Sequence, residues 1–132
     1  MTLTVGQELA PLSIPPISRT TLALFAGASG DTNSVHLDHE VAQAAGMPDV
    51  FAQGMLSMAY LGRLLTDRFP QDRLRSYGVK FAAITPVKGA PTCSATVTSI
   101  DTVDGEERAT LALTVALADG TVTLTGDAVV AL

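Results

Sequence analysis

The sequence predicts an α+β fold in which a curved antiparallel β-sheet wraps a long buried central helix. Residues 51–70 read FAQGMLSMAYLGRLLTDRFP, and positions 52–68 are apolar on nearly every face of a helix, which is typical of a buried one. A helix of that length spans about 25 Å, the width of a small domain. The second half of the chain is rich in Thr, Val, Leu and Ile, as strands are. An interior helix followed by successive strands indicates the α+β class.

The four predicted strands of the second half cover residues 73–84, 91–103, 106–117 and 121–131. The dipeptides Asp104-Gly105 and Asp119-Gly120 separate the last three strands and favour hairpin turns. In the first half, residues 1–15 predict a short strand or two around Gly6 and Gln7. Ser18 or Thr20 is expected to cap a first helix that ends within residues 27–30. Asp38 is expected to cap a second helix, stopped by Gly46 and Pro48.

Composition limits the class of protein. The 132 residues fit one domain, residues 1–132, and 47% hydrophobic with 16% charged content favours an ordered core. So apolar a composition also indicates that another subunit covers part of the surface. A net charge of -5 with eight Lys and Arg argues against nucleic acid as a partner. We expect no membrane span and no signal peptide. The single Cys93 fits a reducing cytoplasm and, within a strand, a buried apolar role.

A polar cluster interrupts the helical first half. Asp31, Asn33 and His36 lie within six residues, directly after Ser29 and Gly30. This spacing matches neither the helical periodicity of three to four residues nor the alternation of a strand. A loop must therefore bring these side chains together. Polar groups on a short connection between packed elements are typical of a catalytic loop.

Residues 29–38, SGDTNSVHLD, closely resemble the hydratase motif of MaoC-like, (R)-specific enoyl-CoA hydratases. The resemblance continues through residues 52–56, AQGML, and the closing TGDAVV of residues 125–130. It implies a hot-dog fold, commonly assembled as a dimer. Two positions depart from the family pattern: Ser34 stands where Pro is usual, and Gln53 where His is frequent. Neither change removes a group expected to act in catalysis.

The residues fit the chemistry that the resemblance implies. Hydrating an enoyl thioester needs water at C3, a proton at C2 and stabilisation of the enolate-like oxygen. A carboxylate and an imidazole that hold one water can share the proton transfers, and we assign Asp31 and His36 to this role without stating which acts first. The amide N–H of Gly54, at the start of the central helix, can receive the thioester oxygen. Asn33, Ser29 and Gly30 are expected to support the loop.

Met58, Gly62 and Leu65 recur at spacings of four and three residues and therefore share one helix face. They are candidates, with Val130, for an acyl-binding pocket, although core packing explains them equally well. Three cations are candidates for the phosphates of coenzyme A or, more simply, solvated surface charges: Arg75, Lys80 and Lys88. His39 is expected to be a solvated helix residue. No metal site is expected, because His36 and His39 lack a Cys partner and Asp38 is expected to cap a helix. No cofactor is expected either, since coenzyme A enters as the thioester substrate.

Four functions compete. The first is an (R)-specific enoyl-CoA hydratase, a hydro-lyase that adds water reversibly to trans-2-enoyl-CoA to give (R)-3-hydroxyacyl-CoA. The second is a dehydratase subunit of fatty-acid synthesis that acts on acyl carrier protein. The third is a thioesterase on the same fold, and the fourth a non-catalytic acyl-CoA-binding protein. The sequence does not determine the preferred length of the acyl chain or whether the protein forms a homodimer or a heteromer. It also leaves the pathway open: supply of units for polyhydroxyalkanoate, fatty-acid breakdown or fatty-acid synthesis.

Overall fold

The computed structural model describes residues 2–132. It contains three α-helices, two single 3₁₀ turns and five strands. The helices are α1 (Arg19–Ser29), α2 (His39–Ala44) and α3 (Gly54–Thr66), and the 3₁₀ turns are Ser34–His36 and Gln71–Arg73. The strands are β1 (Leu12–Ser13), β2 (Leu74–Phe81), β3 (Thr92–Val103), β4 (Glu106–Ala116) and β5 (Val122–Ala131).

The five strands form one antiparallel sheet in the order β1-β3-β4-β5-β2. The β3–β4 and β4–β5 pairs are consecutive hairpins, whereas β2 pairs with β5 at the far end of the sheet. The sheet curls around α3, which confirms the predicted α+β class and the predicted arrangement of helix and sheet. β2 is an edge strand, and the register places Phe81 opposite Leu124.

Two hydrophobic clusters hold the layers together. The larger lies between α3 and the concave face of the sheet, and the smaller joins α1 and α2 to the start of α3. The larger includes Leu61, Leu64, Leu65, Val97, Leu111, Leu113, Ala128 and Val130, and the smaller is Ile14, Ile17, Leu22, Ala42, Val50, Ala52 and Leu56. The smaller cluster therefore fixes the first turn of α3 against the helices that flank the polar loop.

The central helix is shorter than predicted and is not enclosed on every side. It begins at Gly54 because Ala52 donates its N–H to the carbonyl of Thr85 in a strand-like contact. Met55, Ala59 and Arg63 follow one another at intervals of four residues and form an exposed stripe. The predicted buried helix is thus buried on its sheet side and open on one face. Within residues 2–132, no helix has the length and apolarity needed to cross a bilayer.

Both predicted Asp-Gly turns between the last three strands are present, and the first has the predicted hairpin geometry. Asp104 and Gly105 have φ values of 53° and 78°, as a two-residue type I′ hairpin requires. The second Asp-Gly pair lies in a longer connection between β4 and β5. Gly6 itself lies in a turn with φ 86°, but the predicted pairing around Gly6 and Gln7 is present: the N–H of Gly6 and the carbonyl of Gln7 both bond Val97 of β3. A bridge at Glu8 and then β1 continue this pairing.

Gln53, immediately before α3, is completely buried and joins α3 to α1. Its Nε2 donates to the carbonyl of Leu22 at 3.0 Å, while its Oε1 has no partner within residues 2–132.

We expect Gln53→Glu to lower the free energy of unfolding by about 3 kcal/mol, because it buries an uncompensated charge. Gln53→Met removes the unpaired oxygen together with one hydrogen bond, and its expected change is below about 1 kcal/mol. Urea denaturation of the two variants checks this, and equal losses would contradict it.

Candidate active site

The polar loop is built by a chain of side-chain to backbone hydrogen bonds. α1 ends at Ser29, and the φ of 80° at Gly30 places this next residue in the left-handed conformation that glycine favours at a helix C-terminus. Ser29 Oγ then accepts from the N–H of Asp31 at 3.1 Å, and Asp31 Oδ1 from that of Asn33 at 3.3 Å. Asn33 Oδ1 accepts from the N–H of Val35 at 3.2 Å. These bonds are typical of Ser, Asp and Asn in turns and fix the backbone that carries the candidate acid and base.

His36 is held in one orientation by the segment that precedes α3. Its side chain is 10% exposed, and its ring lies edge-on to the ring of Phe51, with centroids 4.9 Å apart. Its Nδ1 lies 2.7 Å from the carbonyl oxygen of Phe51. A carbonyl oxygen only accepts, so Nδ1 carries the proton of this hydrogen bond. In the neutral ring, Nε2 therefore presents a lone pair on the opposite side.

That lone pair faces Asp31. Oδ2 of Asp31 lies 3.7 Å from Nε2 of His36, and the Asp31 side chain is 41% exposed. The separation is too long for a direct hydrogen bond but short enough for one water to contact both atoms. The carboxylate and the imidazole thus face each other as the sequence predicted.

Gly54 opens α3 beside His36, and the two residues line the same cavity. Within residues 2–132, no protein acceptor is found for the N–H of Gly54. The first N–H groups of a helix lack intrahelical partners and lie at the positive end of the helix dipole. A Cβ at this position would lie 3.0 Å from Cε1 of Phe81, which gives the glycine a steric reason. The site therefore offers an unpaired amide donor at a position where the Phe81 ring leaves little room for a side chain.

The cavity has a volume of about 290 Å³. Besides His36 and Gly54, its walls come from the segment before α3, from α3 itself, from the end of β2 with the residues that follow it, and from β5. They are Phe51, Ala52, Ser57, Phe81, Ala82, Ala83, Ile84, Thr85 and Leu124. The walls are mostly apolar, and His36 and Gly54 add the polar groups that orient a reactive end.

None of the four predicted acyl-pocket residues lines this cavity. Leu65 and Val130 are fully buried in the larger cluster, and Met58 packs against it. Gly62 accommodates Tyr77, whose ring would lie 3.4 Å from an added Cβ and whose hydroxyl donates to the carbonyl of Met58 at 2.6 Å. Packing thus accounts for all four, and their contact with an acyl chain stays a prediction.

Ser57, Phe81 and Leu124 line the cavity and were missed by sequence reasoning. Ser57 lies three residues after Gly54, so helical periodicity could have found it. The other two enter through the pairing of β2 with β5, which no local pattern reveals.

Of the three cations that are candidates for binding phosphate, one is held in an ion pair within the described part of the chain and two are not. Arg75 forms a two-bond ion pair with Glu106, at 2.9 and 2.6 Å. Together with Arg108, it lowers the pKa of Glu106 to about 2. Arg75 is therefore engaged, whereas Lys80 and Lys88 form no ion pair within residues 2–132. Lys88 lies in the connection from β2 to β3, with φ 67°.

Comparison with known proteins supports this description. The model of the MaoC-like domain family matches residues 3–119. Over 116 residues the sequence is 34% identical to an (R)-specific enoyl-CoA hydratase of Rhodospirillum rubrum, covering 86% of this chain and 78% of the relative. The solved (R)-hydratase from A. caviae, involved in PHA biosynthesis, is 28% identical with a TM-score of 0.87, covering 99% of this chain and 98% of that one.

A second solved structure, the unliganded R-hydratase PhaJ1 from Pseudomonas aeruginosa, is 26% identical with a TM-score of 0.83. The alignment covers 98% of this chain and 82% of that one. The chain therefore belongs to the MaoC-like domain family and has the hot-dog fold.

Proposed function

We propose that this protein, a hydro-lyase, is an (R)-specific enoyl-CoA hydratase that adds water reversibly to trans-2-enoyl-CoA and gives (R)-3-hydroxyacyl-CoA. One observation carries the proposal: Asp31 Oδ2 and His36 Nε2 face each other across 3.7 Å, and His36 shares a cavity with the unpaired N–H of Gly54. Binding an acyl-CoA needs neither an acid nor a base, so this arrangement favours an enzyme over a carrier. The (R) configuration of the product rests on similarity to the named hydratases.

The arrangement supplies each requirement of the reaction. A water between Asp31 and His36 is deprotonated as its oxygen attacks C3 of the enoyl thioester. The π electrons of the double bond move toward the carbonyl, and the N–H of Gly54 stabilises the negative charge that develops on the thioester oxygen. The pair then returns a proton to C2, which restores the thioester and completes the addition of water. Dehydration follows the same steps in reverse.

The direct test is turnover of crotonyl-CoA by the purified protein. We expect the absorbance of the conjugated thioester to fall and the product to be oxidised by a dehydrogenase specific for (R)-3-hydroxyacyl-CoA. A series of longer enoyl-CoA substrates, each compared with the acyl-carrier-protein thioester, identifies the preferred chain and carrier. Binding of every chain length without turnover would contradict the proposal and indicate a binding protein. Release of free thiol from acyl-CoA would instead indicate a thioesterase.

We also propose that the protein acts as a homodimer. The outer edge of β2 has no partner strand within residues 2–132. Two apolar residues that line the cavity at the end of β2 are exposed, Phe81 at 52% and Ile84 at 46%, and so is Met55, next to Gly54 on α3, at 56%. A second copy that pairs with β2 satisfies the free edge and covers this surface. Light scattering is expected to give the mass of two chains, and a monomer at assay concentration would contradict the proposal.

A further inference from the structure

Outside the cavity, one cluster of charged side chains joins three elements of the fold. The carboxylate of Asp49 accepts from Nη1 of Arg19 at 2.9 Å, from Nδ1 of His39 at 2.8 Å and from the N–H of Val50 at 2.7 Å. Nη2 of Arg19 bonds its second oxygen. Oδ1 thus accepts three donors and Oδ2 one, and the hydrogen bonds of Arg19 and then His39 hold the pKa of Asp49 well below its ordinary value.

His39 was predicted to be a solvated helix residue, and that prediction is incomplete. Its ring is about half exposed, yet Nδ1 must carry the proton that Asp49 accepts. Arg19 is the first residue of α1 and His39 the first of α2, while Asp49 lies in the connection that leads to α3. The cluster therefore joins the starts of two helices to the segment that enters the third.

This cluster lies next to the contact that orients His36. Phe51, whose carbonyl accepts from His36 Nδ1, is two residues after Asp49. Two side-chain bonds thus connect the same pair of segments in antiparallel order, from His36 to Phe51 and from His39 to Asp49. From the other side, Ala52 donates to the carbonyl of Thr85 at 2.8 Å. Val50 also accepts from the N–H of Val87 at 3.3 Å, so Asp49 on one side and residues 85–87 on the other together fix the place of the Phe51 carbonyl.

We propose that Asp49 is a positioning residue of this site: by binding Arg19 and His39 it holds the Phe51 carbonyl against His36 and so keeps Nε2 of His36 directed at Asp31. Isolated ion pairs on a surface contribute little to stability. A carboxylate with four donors from three elements acts instead by fixing geometry, and small displacements of a catalytic group cost large factors in rate. The expected effect on turnover rests on the proposed function; the effect on His36 does not.

The test is Asp49→Asn, which removes the charge and places an NH₂ donor against Nη2 of Arg19. It has two readouts. Two-bond ¹⁵N–¹H NMR correlations report which ring nitrogen carries the proton, and only two histidines need assignment, which the spectrum of His36→Gln supplies. We expect His36 of the unaltered protein to be the Nδ1–H tautomer when neutral, and Asp49→Asn to add the Nε2–H tautomer. With crotonyl-CoA, kcat is expected to fall about tenfold with KM within about twofold, as for a displaced catalytic group.

Glu106→Gln is the matched control, because Glu106 also accepts two bonds from an arginine, Arg75, and a third from Arg108. It is expected to leave the His36 tautomer and kcat unchanged. An unchanged tautomer in Asp49→Asn, or the same change in Glu106→Gln, overturns the proposal. If the unaltered protein turns over no thioester, the tautomer still decides the role of Asp49. If Asp49→Asn does not fold, His39→Leu removes one of the four donors to Asp49. In that variant, an unchanged His36 tautomer overturns the proposal.

Discussion

Asp31→Asn is expected to lower kcat for the hydration of crotonyl-CoA by about 10³-fold, within the range that general acid–base groups contribute. The amide cannot accept a proton from water, so the proposed pair loses one of its two members. The substitution is otherwise conservative, because the Oδ1 atom of an asparagine can still accept from the N–H of Asn33 and preserve the loop. KM is expected to change little, since the group acts in the transition state.

Asp67→Asn is the control for this variant. Asp67 lies at the other end of α3, is 58% exposed and pairs only loosely with Arg63 at 3.8 Å. Removing its charge changes net charge by the same amount as Asp31→Asn and is expected to leave kcat within twofold, as surface changes do. Steady-state rates and thermal unfolding of the two variants complete the test. Activity of Asp31→Asn within tenfold of the unaltered protein would remove this carboxylate from the mechanism.

The parts of the site that could be predicted are those held by local chemistry. Ser29, Asp31 and Asn33 each bond a backbone N–H two residues away, so their spacing alone encodes the loop. Asp38 caps α2 as expected, with its carboxylate accepting from the N–H of Glu40. Three of the four predicted strands of the second half are found within one residue at each end, because turn residues bound them.

The walls of the cavity could not be predicted, because distant pairing sets them. Phe81 meets Leu124 only through the register of β2 with β5. Helical periodicity correctly put Met58 and Leu65 on one side of α3 but could not tell which side faces the sheet. The sheet side is the one on which Tyr77 approaches Gly62 and bonds Met58. The exposed stripe of α3 could not be predicted either, because Met55 and Ala59 are apolar and cannot be distinguished from core residues by sequence alone.

Gly54→Pro is expected to lower kcat by about 10² to 10³-fold relative to Gly54→Ala, the loss typical of one oxyanion donor. Proline removes the N–H, yet it is favoured at the first position of a helix. Gln53 already has the extended backbone that precedes proline, with φ -59° and ψ 135°. The start of α3 is therefore expected to survive, and circular dichroism with thermal unfolding checks this.

Gly54→Ala is the matched control because both variants add a Cβ against Phe81, 3.0 Å from its Cε1, while only alanine keeps the N–H. The Phe81 ring is half exposed and can move, so Phe81→Ala is combined with each variant to remove the steric contact. If the difference between proline and alanine persists without the ring, the amide itself stabilises the transition state. If the two variants then turn over crotonyl-CoA at the same rate, the N–H of Gly54 is not the oxyanion donor, and the glycine serves only to leave room for Phe81.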